Sequence, residues 1–91
     1  MSMSEIILSG IDIGSSKIAT IVGITSEDSP EVRVIGFNIS PSRGVKKGMI
    51  VDIEQVTSAV EESVEKAERM AGHKINQAFV SVGGPHIASL N

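Results

Sequence analysis

The sequence predicts an α/β unit with the element order β-β-β-α-β, and three observations carry that expectation. Residues 6–39 hold three runs rich in β-branched residues, separated by short polar turns. Residues 53–71 switch to an apolar period of three and four. A last apolar run, Ala78 to Val82, follows the glycine that ends that periodic stretch.

Ile6 to Ile13 reads as the first strand, and Gly14-Ser15-Ser16-Lys17 as the turn into a second strand from Ile18 to about Thr25. Glu27-Asp28-Ser29-Pro30 forms the next turn, because Asp and Pro favour turn backbone and Pro cannot donate to a ladder. Val32 to Ile39 is the third strand, completing an antiparallel meander. Pro41 to Gly48 reads as a loop, with a short extended piece at Met49-Ile50-Val51.

From there a helix runs from Ile53 to Ala71, with Ile53, Val56, Val60, Val64, Ala67 and Met70/Ala71 as its apolar stripe. Asp52 is its N-cap, with Gln55 three residues on as a capping-box partner, and Gly72 supplies the left-handed stop. Glu62–Lys66 and Glu65–Arg69 stand at i,i+4 in the favourable orientation. A strand reached through a helix lies parallel to its neighbour by a right-handed crossover. The expected fourth strand ends at Gly83-Gly84-Pro85, either a turn or a hinge.

Both of the first two strands are apolar on both faces. Ile7, Ile11 and Ile13 oppose Ile6 and Leu8, while Ile18, Val22 and Ile24 oppose Ala19 and Ile21. Such strands belong to sheets covered on both sides, and one amphipathic helix covers only one. The second cover is therefore expected from outside these residues, in a continuation of the chain or a partner.

Composition narrows the function classes. With 91 residues, the chain makes one domain at most. Its net charge of −3 provides no electrostatic footprint for nucleic acid or an anionic membrane. Phe37 and Phe79 alone do not make a base-stacking platform, and the absence of cysteine excludes disulfides and thiolate metal sites. The N-terminal residues lack the basic region of a secretory signal, and no apolar run approaches the ~20 residues that span a bilayer. Asn38-Ile39-Ser40 matches a glycosylation acceptor only by chance on that reading, and the chain is expected in the cytoplasm.

The chemistry is concentrated in Gly10-Ile-Asp-Ile-Gly-Ser-Ser-Lys-Ile18. A carboxylate at the end of a buried strand, Asp12, needs a cation or hydrogen bonds to compensate its burial. Gly14 permits positive φ and close backbone approach, so the turn amides form an anion-binding nest, with Ser15, Ser16 and Lys17 adding donors and charge. The pattern suits a metal–triphosphate group, with Asp12 acting on Mg²⁺ through its water shell. On spacing alone the plainer alternative, a polar hairpin with Asp12 capping its turn, is the better supported, because Gly-Ser turns are common. Neither G-x-x-x-x-G-K-[ST] nor G-x-G-x-x-G is present, and Gly44-Val-Lys-Lys-Gly48 is no variant of them.

Asp12-Ile-Gly-Ser-Ser-Lys after a strand resembles the first phosphate motif of the actin/Hsp70/sugar-kinase ATPase superfamily, whose core is a ribonuclease-H-like fold with this opening order. Ser40-Pro-Ser-Arg-Gly-Val-Lys-Lys-Gly-Met-Ile-Val-Asp-Ile-Glu54, Ala67-Glu-Arg-Met-Ala-Gly72 and Val80-Ser-Val-Gly-Gly-Pro-His-Ile87 narrow the resemblance to the N-terminal segment of the FtsA-type, actin-like bacterial cell-division proteins. The resemblance implies an incomplete subdomain 1A over residues 1–83 and the start of subdomain 1C (SHS2) over 84–91. It implies ATP and Mg²⁺ as cofactors of the complete protein, with Asp12, Gly14, Ser15, Ser16 and Lys17 as the phosphate-binding residues and Asp12 serving the metal. It also implies filament formation, FtsZ and later division proteins as partners, and septal membrane association through a C-terminal helix absent here. The second phosphate motif, adenosine contacts and water-activating groups of that family lie beyond this segment, so the 91 residues alone are expected not to hydrolyse ATP. Alternatives are a non-enzymatic module that pairs with such subunits, and a pilus-assembly actin-like protein of the PilM type, against which the Ser42–Gly48 loop argues.

Other residues carry plainer expectations. Arg43, Lys46 and Lys47 make a solvated basic loop, and Glu61, Glu62 and Glu65 a solvated helix face. His73 and His86 have no second ligand at metal spacing, and Met49 and Met70 are core filler.

Overall fold

The computed structural model describes residues 5–82, and the side chains of all of these except Ser29 and Pro30. Strands β1 (Glu5–Ile13), β2 (Lys17–Ser26) and β3 (Ser29–Pro41) form the expected meander. β4 (Val45–Lys46) and β5 (Met49–Ile50) then pair in a small separate hairpin, followed by α1 (Ile53–Ala71) and β6 (Gln77–Val82). β6 lies parallel to β1, giving a sheet ordered β3-β2-β1-β6. The loop expected over Pro41–Gly48 is thus partly strand. Gly83, Gly84, His86 and the expected start of a second subdomain lie outside the described residues.

The helix begins where its cap dictates. Asp52 is extended (φ −146°), and its carboxylate accepts from the amides of Glu54 and Gln55, each at 3.1 Å. The reciprocal half of a capping box is replaced by the fold, since the Asp52 amide donates to the Gly44 carbonyl at 3.1 Å. Gly72 closes the far end in the left-handed region (φ 78°), its amide donating to the Glu68 carbonyl at 2.8 Å.

α1 packs across β3 and β2. Its buried residues are Val56, Ala59, Ser63 and Ala67, which corrects the expected stripe: Ile53 is 66% exposed and Met70 58%, and Met49 on the hairpin is likewise exposed. Val60 and Val64 flank the contact rather than centre it. The reason is steric. Small side chains at the centre of the seam let the helix backbone come close to the sheet, and Gly36 of β3 meets it there. A Cβ on Gly36 would stand 2.7 Å from the Ala67 carbonyl oxygen.

Two apolar clusters fill this interface, one of Ile11, Ile13, Ile18, Val45, Val56 and Ala59, the other of Ile7, Val22 and Ala67. Each fully buried isoleucine contributes about 1.5–3 kcal/mol. Between them Thr20 and Ser63, both fully buried, join hydroxyls at 2.8 Å. Ser9 Oγ is buried on the same face without a partner. Asn76 anchors the return into β6, donating its amide to the Ile7 carbonyl at 2.8 Å while its Oδ1 accepts from the Ile7 amide at 2.9 Å.

Among the described residues, no element packs over the opposite face of the sheet. Ile21 (50% exposed), Phe37 (53%), Ile39 (61%) and Phe79 (64%) share it with Ala19, as the strand registers require. Inference of a second cover from outside these residues rests on this face, since exposed apolar patches of this kind mark contact surfaces. The isolated chain is expected to bind a hydrophobic dye at neutral pH, and a folded, dye-silent monomer would contradict the inference.

Ion pairs tie the helix surface. Lys66 Nζ lies 3.1 Å from Glu62 Oε2, Arg69 lies 3.4 Å from Glu65, and Arg43 reaches Glu62 at 3.7 Å. Arg43 and Glu62 are therefore paired with each other, not merely solvated as their charge runs suggested. The hydrogen bond and charge of Lys66, with Arg43 adding less, hold the Glu62 carboxyl below the usual glutamate range.

Two further outcomes follow from these contacts. Ser63→Ala leaves the Thr20 hydroxyl buried and unpaired and is expected to destabilise by about 1–3 kcal/mol in denaturant unfolding, most of it recovered by adding Thr20→Val. A depressed folded-state pKa contributes stability above the unfolded value and loses it as pH falls through the folded one. The melting difference between wild type and Lys66→Met is therefore expected to be small at neutral pH and to shrink once pH falls below the ordinary glutamate range. It is expected to vanish when pH has passed through the lowered Glu62 value.

Candidate functional site

At the carboxyl ends of the parallel pair β1 and β6, register places Asp12 beside Ser81 and Ile13 beside Val82. Carboxyl ends of parallel strands are where α/β sheets bind ligands. Strand alternation turns Ile11 and Ile13 toward the helix and Asp12 toward the bare face, where it is exposed. Its Oδ1 accepts from the Ser81 hydroxyl at 3.0 Å. With Gly10, Ala19, Ile21, Phe79 and Ser81 it lines an open hollow.

This placement corrects two details of the sequence reading. Asp12 is not buried at its strand end, and its carboxylate meets Ser81 across the sheet where a turn cap was the plainer expectation. Gly14 is also not in the left-handed region among the described residues. Its amide turns inward to the Lys17 carbonyl at 3.0 Å and so is not part of an open nest. Glycine suits the close approach there, because a Cβ would stand a tight 3.1 Å from that carbonyl.

The rest of the turn is exposed. Ser15, Ser16 and Lys17 all face solvent, and alternation along β2 puts Lys17 on the face of Ala19 and Ile21, hence of Asp12. The structure therefore brings one carboxylate, one ammonium and two hydroxyls to a single corner of the sheet. Two contacts brace this corner from outside: the Ser42 amide donates to the Ser16 carbonyl, and the Gly48 amide to Ser15 Oγ, each at 3.0 Å. Ser42 Oγ is buried there with no partner, a polar atom with bonding capacity to spare.

Ser42, Gly48 and Ser81 are the site neighbours that sequence reasoning missed. Ser81 was accessible in principle, because parallel strands ending together at Ile13 and Val82 pair Asp12 with Ser81. The bond between Gly48 and Ser15 spans 33 positions through a backbone amide and leaves no pattern in the sequence.

The donor set suits an anion with an outer-sphere cation. A single exposed carboxylate is a poor cage for a bare metal ion but fits the hydrated Mg²⁺ of a nucleotide, which keeps most of its waters. Among the described residues, no three His, Cys, Asp or Glu side chains gather to hold a metal directly. No helix among those residues is long and apolar enough to cross a membrane.

No protein-family model matches the chain. Individual proteins do. The chain is 43% identical over 82 residues to the cell division protein FtsA of Pseudomonas aeruginosa, covering 90% of this chain and 19% of that one. Against FtsA of Neisseria meningitidis it is 34% identical over all 91 residues, and against that of Bacillus subtilis 39% over 87. It thus spans about one-fifth of the length of these relatives. Among solved structures, the ethanolamine utilization protein EutJ from Carboxydothermus hydrogenoformans superposes over 97% of this chain and 30% of its own, with a TM-score of 0.60 and 23% identity. The likeness shows a shared mixed α/β fold, a sheet with one helix, over this part of EutJ. By sequence, the chain belongs to the family of the cell division protein FtsA, of which it matches about one-fifth of the length.

Proposed function

We propose that this chain forms the first-phosphate wall of a Mg·ATP site in an FtsA-type division protein. The observation that carries the reading is the corner at the end of β1, where Asp12, Ser15, Ser16 and Lys17 stand exposed together beside a bare apolar sheet face. In this reading the Ser15 and Ser16 hydroxyls and the Lys17 ammonium bind phosphate oxygens, which suits charge-assisted hydrogen bonding. Asp12 orients the water shell of Mg²⁺, and Ser81 fixes the Asp12 rotamer by its 3.0 Å bond. Bound Mg²⁺ supplies charge neutralisation to the phosphates.

The remaining four-fifths of such a protein would supply the opposite wall of the cleft and the second cover of the sheet. Tethering of FtsZ, recruitment of later division proteins, self-association into filaments and attachment to the cytoplasmic face of the membrane at the septum belong to that complete assembly. The bare face equally supports a second reading, a non-enzymatic module that docks on FtsA-type subunits.

A chimera in which this chain replaces its matching segment of the Pseudomonas aeruginosa FtsA tests the proposal. It is expected to bind Mg·ATP, and Asp12→Ala to weaken that affinity about tenfold or more while leaving the melting temperature within a few degrees. Unchanged affinity with collapsed stability would assign Asp12 a purely structural role.

A further inference from the structure

The β4–β5 hairpin makes an unexpected use of its turn. Lys47 (φ 53°) and Gly48 (φ 76°) are both left-handed, the pattern of a type I′ hairpin turn. Lysine is a poor choice for that region, where a side chain is disfavoured by roughly 1–2 kcal/mol. The turn is nevertheless held, and it aims the Gly48 amide at Ser15 Oγ at 3.0 Å. Its base is tied down separately: the Gly44 carbonyl accepts from the amides of Val51 (2.8 Å) and Asp52 (3.1 Å), the latter being the helix cap. A Cβ on Gly44 would stand 2.4 Å from the Asp52 carbonyl oxygen, so loop and helix start are in close contact.

A serine hydroxyl has one proton and two lone pairs. The Gly48 amide occupies a lone pair of Ser15, which leaves the single proton without a competing claim from that amide and narrows the rotation of the hydroxyl. We infer that the Lys47–Gly48 turn is a positioning device for the phosphate corner: it pre-orients Ser15 as a donor to a bound anion, and Gly48 acts on ligand affinity through Ser15. The inference rests on the phosphate-corner reading above and adds to it a route by which the outer hairpin controls the site. The hairpin carries Met49 (66% exposed) and leads into Val51 (59%), so whatever contacts these apolar residues also bears on Ser15.

A double-mutant cycle in the same full-length chimera, read by Mg·ATP affinity, separates the possibilities. Ser15→Ala is expected to weaken binding roughly fivefold to tenfold, and Ser15→Thr, which keeps the hydroxyl, to restore most of it. Gly48→Pro removes the amide donor and, with φ locked at about −65°, also breaks the left-handed turn. It is expected to weaken binding by at least a similar factor, acting through Ser15. The double variant should be no weaker than Ser15→Ala alone. Lys47→Gly, which relieves the left-handed lysine and keeps the amide, should hold or improve affinity. Multiplying effects in the double variant, or full affinity in Gly48→Pro, would overturn the positioning role while leaving the phosphate corner intact. Loss of the corner itself would show differently, as an Asp12→Ala variant and a Ser15→Ala variant that both bind Mg·ATP like the parent.

Discussion

Everything in this fold depends on how closely α1 can approach the sheet. The seam is made of small residues, Ala59, Ser63 and Ala67 on the helix and Gly36 below them. That closeness lets a single 19-residue helix seal the isoleucines of β1 and β2 on one face. It also fixes the helix start over the loop that follows β3, because Gly44 must fit against Asp52 and Val56. The hairpin beyond that loop is thereby delivered to the β1–β2 turn. Helix packing and site geometry are consequently one problem: the same contact that buries the core places the brace on Ser15 and Ser16.

The sheet is finished on one side only. β1 is hydrogen-bonded on both edges, with β2 antiparallel and β6 parallel. Its faces are unequal, one packed under the helix and the other open around Ile21, Phe37, Ile39 and Phe79. A short chain with limited burial can fold on one sealed face, but the open one is a contact surface by composition. Its position next to Asp12 means that whatever covers it will also wall in the corner where Asp12 and Lys17 stand.

Much of this was readable in the residues. Strand alternation showed the two-faced sheet, the Asp52 cap and Gly72 stop bounded the helix, and the turn after β1 was marked as the place where Asp12, Ser15, Ser16 and Lys17 come together. What escaped has physical causes. Counting apolar residues favoured Ile53 and Met70 over Ala59 and Ser63, since hydropathy does not register the small size that close packing needs. The Thr20–Ser63 hydrogen bond and the pair of hydrogen bonds between Asn76 and Ile7 join residues 43 and 69 positions apart, and polar contacts at such range have no period to detect. At the corner, the sequence identified the residue types but not the direction of each group: Gly14 turned out to spend its amide inside the turn, and Ser15 to be held by a distant glycine.

Asn76 has a broader consequence. Its side-chain oxygen accepts from the Ile7 amide while its backbone amide donates to the Ile7 carbonyl, tying the entry to β6 to a residue 69 positions away. Closing so large a loop costs chain entropy, and the two hydrogen bonds to Ile7 help to offset it. Ser81 travels with β6, and with it the rotamer of Asp12. The strand that presents Ser81 to Asp12 is thus tied to β1 by side-chain as well as ladder hydrogen bonds, at its entry and at its end.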